Sequence, residues 1–239
     1  MNWPKATLVN TLTVTIGSLV GLLFQDIFTN DMKEIMFQAI GLGTILIGVK
    51  MALKLPDGYM LIFIFSLILG GIFGELIHLD TLLSQLSDTL KNSIGSEEST
   101  FTEGLITAFL LFCIGSMTIV GALEEGLTGN RELLYVKAML DGFSSIALAA
   151  TFGLGVIFSI IPMVLFQGGI TLGAGRLQRL MTENVIDTLS AVGGVLILGI
   201  SINMLKLGNI NLENLLPALV FAVTLSKVLD YRKAKSSQI

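Results

Sequence analysis

Charged residues, cysteine and histidine are all scarce in this chain. Only 13% of its residues are charged, roughly half the share of a typical soluble domain. The single cysteine, Cys113, lies inside an apolar run, so no disulfide framework is available. The single histidine, His78, excludes a histidine-rich metal site. A net charge of -4 means that the chain lacks the excess of basic residues typical of a nucleic-acid-binding protein. We therefore expect no nucleic-acid partner, no metal site and no cofactor.

Catalytic sequence motifs are missing as well. The segments GLGVIF and GAGRLQ lack the third glycine of a dinucleotide-binding loop, and both lie in or beside apolar runs. No phosphate-binding loop, HExxH or GxSxG motif occurs. Cys113 has no base near it in the sequence, so packing explains it better than nucleophilic catalysis. The protein is therefore expected not to be an enzyme.

Long uncharged apolar runs are what the chain has in abundance. Several reach about 20 residues, the length of helix that crosses a hydrocarbon layer of about 30 Å. Barrel strands would instead alternate over about ten residues. The sequence predicts an all-α, polytopic transmembrane bundle of about eight spans, in which residues 1–239 form one domain. The predicted spans are Ala6–Phe24, Glu34–Leu53, Tyr59–Ile77, Gly104–Leu123, Leu133–Thr151, Leu154–Gly175, Ile186–Leu205 and Leu215–Leu229.

The basic residues predict how the bundle is oriented. With the N-terminus in the cytoplasm, 11 of the 14 Lys and Arg residues face the cytoplasmic side, so both termini are expected there. On the opposite side, residues 80–92 carry leucines at helical spacing. This pattern predicts an extracytoplasmic amphipathic helix lying on the outer leaflet. A helix that covers a partner subunit or closes a cavity is the alternative.

Two pairs of glycine-containing segments bear on the architecture. GTILIGVKMALKL (43–55) and GVLILGISINMLKL (194–207) both contain glycines five residues apart and end in Lys-Leu. They lie in spans two and seven, which cross in opposite directions, so they favour an inverted repeat of spans 1–3 and 6–8. Shared Gly, Ile and Leu composition is the alternative explanation.

Separately, the motifs Gly17-xxx-Gly21 and Gly70-xxx-Gly74 predict close helix packing within the chain.

Lys137 and Asp141 are the most unusual charges in the sequence. Asp141 follows Arg131 by about 15 Å of helix, which places it near the bilayer centre, where a carboxylate costs several kcal/mol. Lys137, one turn earlier, can extend toward the interface, whereas Asp141 is too short to do so. In the functional interpretation, Asp141 lines a polar cavity with Ser144 and Ser145 and binds a cation or a proton. In the alternative, Lys137 and Asp141 form a neutralised structural clasp.

Two amide side chains add to this candidate site. Gln167 follows Pro162 and precedes two glycines, a pattern typical of a broken transporter helix that exposes Gln167 to a cavity. A kinked packing helix is the alternative. Asn10 lies on a polar face of span one, where interhelical hydrogen bonding is the commoner role. The predicted ion- or substrate-binding residues are Asn10, Lys137, Asp141, Ser144, Ser145 and Gln167.

The block LFCIGSMTIVGALEEGLTGNRELLYVKAMLDGFSS resembles the signature of the YqgA/YdfK-type bacterial membrane proteins, a domain-of-unknown-function family. TLVNTLTVTIGSLVG, LFQGGITLGAG and NLLPALVFA extend the resemblance over nearly the whole chain. Ala6 departs from a usual glycine and Asn130 from a common aspartate. The resemblance implies a bacterial plasma-membrane protein and suggests transport, without naming a substrate. Carried over to this chain, the family motif includes Asn10, Cys113, Gly115, Gly121, Gly126, Lys137, Asp141, Gly142, Gln167 and Gly168.

These observations converge on a transport protein. We expect a small secondary carrier that moves an ion or small solute through a midplane polar site. One alternative is an oligomeric ion channel. The other is a non-transporting assembly or sensing protein with a structural Lys-Asp pair. The expected partners are the lipid bilayer and a small ion or solute, and a homodimer is left open.

Overall fold

The protein is all-α over the residues that its structure, a computed structural model, describes, namely 4–25, 29–94 and 100–236. No strand occurs among them, so the predicted fold class is confirmed. The elements are α1 (Lys5–Gln25), α2 (Asn30–Ala52), α3 (Met60–Leu76), α4 (Leu79–Ile94), α5 (Phe101–Cys113), α6 (Ser116–Thr128), α7 (Glu132–Phe152), α8 (Gly155–Phe158), α9 (Ile160–Met163), a π-helical segment (Val164–Gly168), α10 (Gly169–Leu177), α11 (Glu183–Met204) and α12 (Ala218–Ser236).

Several of these helices are long and apolar enough to cross a membrane. Within the described residues, five stretches qualify by length and composition: Lys5–Phe24, Glu34–Ala52, Glu132–Phe152, Gly155–Leu177 and Glu183–Met204. Two bent pairs, α3 with α4 and α5 with α6, raise the number to seven if each pair is one span. The predicted eighth span falls in α12, which does not qualify. Its C-terminal half carries charges such as Asp230 and Lys233, so the count of eight stays a prediction.

Helix α11 forms the centre of the bundle. In the apolar stretch of α11, 78% of the residues are buried, whereas in that of α2, which packs against α11, 17% are buried. The two helices run antiparallel, because Thr44 of α2 meets Ser201 while Gly48 meets Gly194. The Thr44 and Ser201 hydroxyl oxygens lie 2.7 Å apart and share a hydrogen bond. A Cβ on Gly48 would lie 2.7 Å from the Gly194 carbonyl oxygen, so only glycine allows this approach.

Helices α1 and α7 pack side by side in the same direction. A Cβ added to Gly17 would lie 2.1 Å from the carbonyl oxygen of Gly142, and one added to Gly21 would lie 2.3 Å from that of Ile146. The Thr13 hydroxyl donates a 2.8 Å hydrogen bond to the Ala138 carbonyl and fixes the register. The first small-residue motif therefore holds two helices of one chain together, as predicted.

Helix α3 packs antiparallel to α12 through the second motif. A Cβ on Gly70 would meet the backbone of Ala218 at 2.3 Å, and one on Gly74 would meet the Asn214 carbonyl oxygen at 2.0 Å. At the other end of the pair, Asp230 accepts hydrogen bonds from Tyr59, from Thr182 (2.6 Å) and from Asn184 (3.1 Å). Partial burial opposes ionisation, but these bonds hold the pKa of Asp230 below its ordinary value.

The helix pairing bears on the inverted repeat. Besides α1 with α7, α2 with α11 and α3 with α12, the structure packs α6 against α10. These pairings are compatible with a repeat of spans 1–3 and 6–8. The aligned glycines, however, have unequal surroundings. Gly48 and Gly194 touch, whereas a Cβ on Gly43 would meet no heavy atom of the described residues within 4 Å outside its own helix backbone, and one on Gly199 would meet Leu212. The inverted repeat remains a prediction.

Two apolar stretches are interrupted in their middle. The predicted fourth span is divided between α5 and α6, which meet at 57° around Ile114 and Gly115. The predicted sixth span, Gly155–Leu177, is divided into α8, α9, the π-helical segment and α10. Pro162 lies just before the π-helical segment and has no backbone N–H to donate, which weakens the regular α-helical pattern. Both interruptions lie close to the polar residues described next.

Candidate functional site

Four polar side chains meet inside the bundle, between α1, α7 and the π-helical segment. The Lys137 ammonium nitrogen lies 2.5 Å from Asp141 Oδ2. The Asn10 amide nitrogen donates to the same oxygen at 2.9 Å and to Gln167 Oε1 at 3.1 Å. We name Asn10, Lys137, Asp141 and Gln167 the interior cluster. The structure thus joins residues that the sequence places more than 150 positions apart.

The interior cluster is almost completely shielded from solvent. Asn10 and Gln167 are 0% exposed, and Lys137 and Asp141 are 6% exposed. The expectation that Lys137 extends to the interface is wrong, because its ammonium turns instead to Asp141. A buried carboxylate without a cation would be far less favourable than this pair. The carboxylate therefore determines where the lysine points.

Apolar and sulfur-containing side chains complete the surroundings of the cluster. The Lys137 ammonium lies 5.9 Å from the centre of the Phe112 ring, close to the end of α5, within the usual range of a cation–π contact. Met163 contributes its sulfur atom, 3.5 Å from the Asn10 amide nitrogen. Neither residue was among the predicted ones. In a single sequence, Phe112 and Met163 look like any other packing residues of an apolar helix.

Two buried atoms of the cluster lack a hydrogen-bond partner in the described part of the chain. They are Asn10 Oδ1 and Gln167 Nε2. The orientation of both amides follows from chemistry, since an ionised carboxylate only accepts hydrogen bonds and Asn10 must turn its NH₂ group toward Asp141. Gln167 must then turn its oxygen toward that NH₂ group. One acceptor and one donor therefore remain unused in the interior, at a cost of about 1–3 kcal/mol each.

The two predicted serines occupy different positions. Ser145 is buried, donates a 2.7 Å hydrogen bond to the Gly142 carbonyl and lies against Gly17. Ser144 is on the exposed side of α7 and does not join the interior cluster. The helical period explains the difference, because residues three and four after Asp141 diverge by about 100° around the helix. Ser145 thus supports the packing of α1 on α7.

Glu125 is a buried charge that the sequence interpretation did not select. Its side chain is inaccessible, and Oε1 accepts hydrogen bonds from the Ala6 backbone N–H at 3.0 Å and from the Arg131 side chain at 2.8 Å. It thereby places a negative charge at the N-terminus of α1, where the helix dipole favours one. Its position in the acidic loop segment LEEGLTG gave no sign of burial.

The chain resembles known proteins over nearly its whole length. Residues 5–227 match the family described as "Protein of unknown function (DUF554)". The chain is 35% identical over 216 residues to "Uncharacterized membrane protein YdfK" of Bacillus subtilis (strain 168), covering 90% of this chain and 92% of that protein. It is 26% identical over 223 residues to "Uncharacterized protein YqgA" of Escherichia coli (strain K12), covering 91% and 94%. No solved structure matches it. The predicted family resemblance is confirmed.

Proposed function

The chain belongs to the DUF554 family of membrane proteins, and we propose that it is a small secondary carrier. The interior cluster is its binding site for an ion or a small solute. One observation carries the proposal. A buried Lys-Asp pair lies beside an unused acceptor on Asn10 and an unused donor on Gln167. Buried polar groups without partners are rare in folded proteins and call for an explanation.

The backbone near the cluster supports the same proposal. Gln167 belongs to the π-helical segment, and π-helical turns inside α-helices occur frequently at functional sites. Transporters commonly bind their substrates where interrupted helices expose backbone and side-chain polar groups at mid-membrane depth. In this arrangement the present conformation is a closed one, since Asn10 and Gln167 are inaccessible. Opening the contact between α1 and the π-helical segment would free both amides for a solute.

A structural clasp is the second candidate, and a specific observation favours it. Lys137 and Asp141 already neutralise one another, and neither lines the cavities of about 680, 340 and 250 Å³ in the described part of the chain. In that case the protein would be a non-transporting assembly or sensing component. An oligomeric channel would instead need a continuous polar path completed by other copies of the chain.

Location and partners form part of the proposal. The bacterial relatives favour a bacterial plasma membrane, and the distribution of positive charges favours both termini in the cytoplasm. The expected partners are lipid and a small ion or solute, without an enzymatic reaction. A homodimer remains an open alternative, because the exposed side of α7 presents Met139, Leu140 and Phe143, which suit either lipid or a second copy.

Flux through reconstituted protein tests the proposal. The protein is inserted into liposomes that contain the pH indicator pyranine, and a pH gradient is imposed before a panel of ions and small solutes, beginning with methylammonium, is added. Wild-type protein should accelerate the change of internal pH with at least one of them. Asp141→Asn should lower this rate at least about tenfold, since the proposed binding depends on the negative charge of the Asp141 carboxylate.

Ser144→Ala is the matched control, because this residue lies one turn from Asp141 on the exposed side of α7. It should transport at the wild-type rate. Wild-type flux in a folded Asp141→Asn variant would exclude the interior cluster as the site. A complete lack of flux by folded wild-type protein over the whole panel would favour the clasp.

A further inference from the structure

A second polar region lies at the end of the bundle where α5 begins and α11 ends. It is a cavity of about 680 Å³, well within the range of about 300–1,000 Å³ that small-molecule sites occupy. Asp80, Glu103 and Glu213 line it together with Thr107. We name these four residues the acidic vestibule. The loop after α11 forms one wall and is held by Asn203, whose side chain bonds both the N–H and the C=O of Ile210 at 2.8 Å.

The charges of the vestibule are not balanced within the described residues. Glu103 and Glu213 are near enough to repel one another electrostatically. The cation at the cavity wall, Lys206, pairs with Glu34 on α2 at 3.0 Å. It is therefore already neutralised by an acid that does not belong to the vestibule. Three carboxylates facing one space make that space attractive to a positive ligand.

Thr107 supplies an independent sign of a ligand. Its side chain is 0% exposed, and its hydroxyl has no hydrogen-bond partner in the described part of the chain. A helical threonine usually directs its hydroxyl to the carbonyl of the preceding turn, as Thr44 and Thr151 do here. Thr107 instead lines the floor of the cavity with its hydrogen-bonding capacity unused.

The chemistry of these groups suits an organic cation. No group of three or more His, Cys, Asp or Glu residues in the described ranges is close enough to hold a metal ion. A substituted ammonium carries several N–H donors and enough volume to reach separate carboxylates and a hydroxyl at once. We propose that the acidic vestibule binds small organic ammonium ions, using Glu103 and Glu213 for charge and Thr107 as a hydrogen-bond acceptor.

The vestibule is connected to the interior cluster by one helix. Glu103 lies in the first turn of α5 and Thr107 one turn further, and Phe112 at its other end lies over the Lys137 ammonium. Phe112 follows Glu103 by nine positions, about 14 Å of helix. A solute bound in the vestibule would thus lie one helix length from the proposed transport site. Binding there can nevertheless be measured without any flux.

Thermal unfolding in lipid nanodiscs, followed by circular dichroism, tests the proposal. The probes are methylammonium and 1,4-diaminobutane chloride, compared with potassium and magnesium chloride at equal ionic strength. At about ten times its dissociation constant an amine should raise the unfolding temperature by about 3 °C. The double variant Glu103→Gln/Glu213→Gln should weaken the apparent amine affinity about tenfold or more. Equal shifts with the metal salts, or an unchanged affinity in the double variant, would overturn the proposal.

Two further variants separate binding from folding and from transport. Thr107→Val keeps the volume and removes an unpartnered hydroxyl, so it should unfold at the wild-type temperature or higher while binding amines several-fold more weakly. Asp31→Asn removes an exposed acid at the same end of α2 as Glu34, and its amine affinity should equal that of wild type. Asp141→Asn should also keep the amine-induced shift. Loss of the shift in a folded Asp141→Asn variant, with the shift retained in Glu103→Gln/Glu213→Gln, would place the amine in the interior cluster and overturn the vestibule site.

Discussion

The interior cluster and the acidic vestibule compensate their charges in opposite ways. In the cluster, one carboxylate is held by an ammonium at 2.5 Å and an amide at 2.9 Å, in a space closed to solvent. In the vestibule, three carboxylates face an open cavity of about 680 Å³, and the lysine on its wall, Lys206, is paired with Glu34. The difference follows from solvation, because a buried charge needs a fixed partner whereas a hydrated one does not.

On this contrast we expect the interior cluster to contribute to stability as well as to the proposed binding, and the vestibule to contribute to ligand binding alone. Removing one charge from the interior cluster leaves another buried and unpaired, so stability should fall. Removing the charge of Glu103 or Glu213 relieves a like-charge repulsion, so stability should not fall. The same comparison separates the two candidate functions, since a pure clasp needs the cluster only for stability.

The largest effect is expected from breaking the buried pair. Lys137→Met should lower the free energy of unfolding by about 3 kcal/mol, because Asp141 then stays buried without a cation. The double variant Lys137→Met/Asp141→Leu should recover most of this loss. Both are measured by SDS-induced unfolding in bicelles. If the double variant recovers stability but not flux, the cluster has a role beyond that of a clasp; recovery of both would contradict the carrier proposal.

A smaller effect is expected from the helix contact that positions the cluster. Gly17→Ala should cost about 2 kcal/mol, because its Cβ would lie 2.1 Å from a backbone oxygen of α7 that cannot move alone. Gly43→Ala is the control, since that Cβ would meet no described heavy atom within 4 Å beyond the backbone of its own helix. It should be neutral or stabilising by up to about 1 kcal/mol. The same unfolding measurement applies, and a neutral Gly17→Ala would contradict the parallel packing of α1 on α7.

The smallest effect, with the opposite sign, is expected in the vestibule without ligand. Glu103→Gln/Glu213→Gln should raise the free energy of unfolding by about 0.5 kcal/mol through relief of like-charge repulsion. The gain should decline as salt is added, because screening weakens the repulsion in wild-type protein. A loss of stability comparable to that of Lys137→Met would mean that the vestibule acids hold the fold, and the contrast between the regions would disappear.

The position of the candidate site was partly predictable. Lys137, Asp141, Asn10 and Gln167 stood out because polar side chains within apolar runs are unfavourable in lipid. Thr107 and Glu103 did not stand out, since a threonine within an apolar run and an acid at its edge are ordinary features. The sequence could not show which of Ser144 and Ser145 faces the interior. In the structure they lie on different sides of α7, with Ser145 buried and Ser144 exposed.

Apolar runs of membrane-crossing length and a scarcity of charge determined by themselves that this protein is an all-helical membrane protein, since lipid leaves the backbone few other ways to satisfy its hydrogen bonds. The same runs could not determine which helices pair, because nearly every one of them presents similar Gly, Ile and Leu surfaces. That was decided by tertiary packing, where glycines let α1 approach α7 closely enough for Asn10 to reach Asp141. The pairing of Lys137 with Asp141 and the assembly of the acidic vestibule depend on contacts between distant segments, which a local sequence pattern does not record.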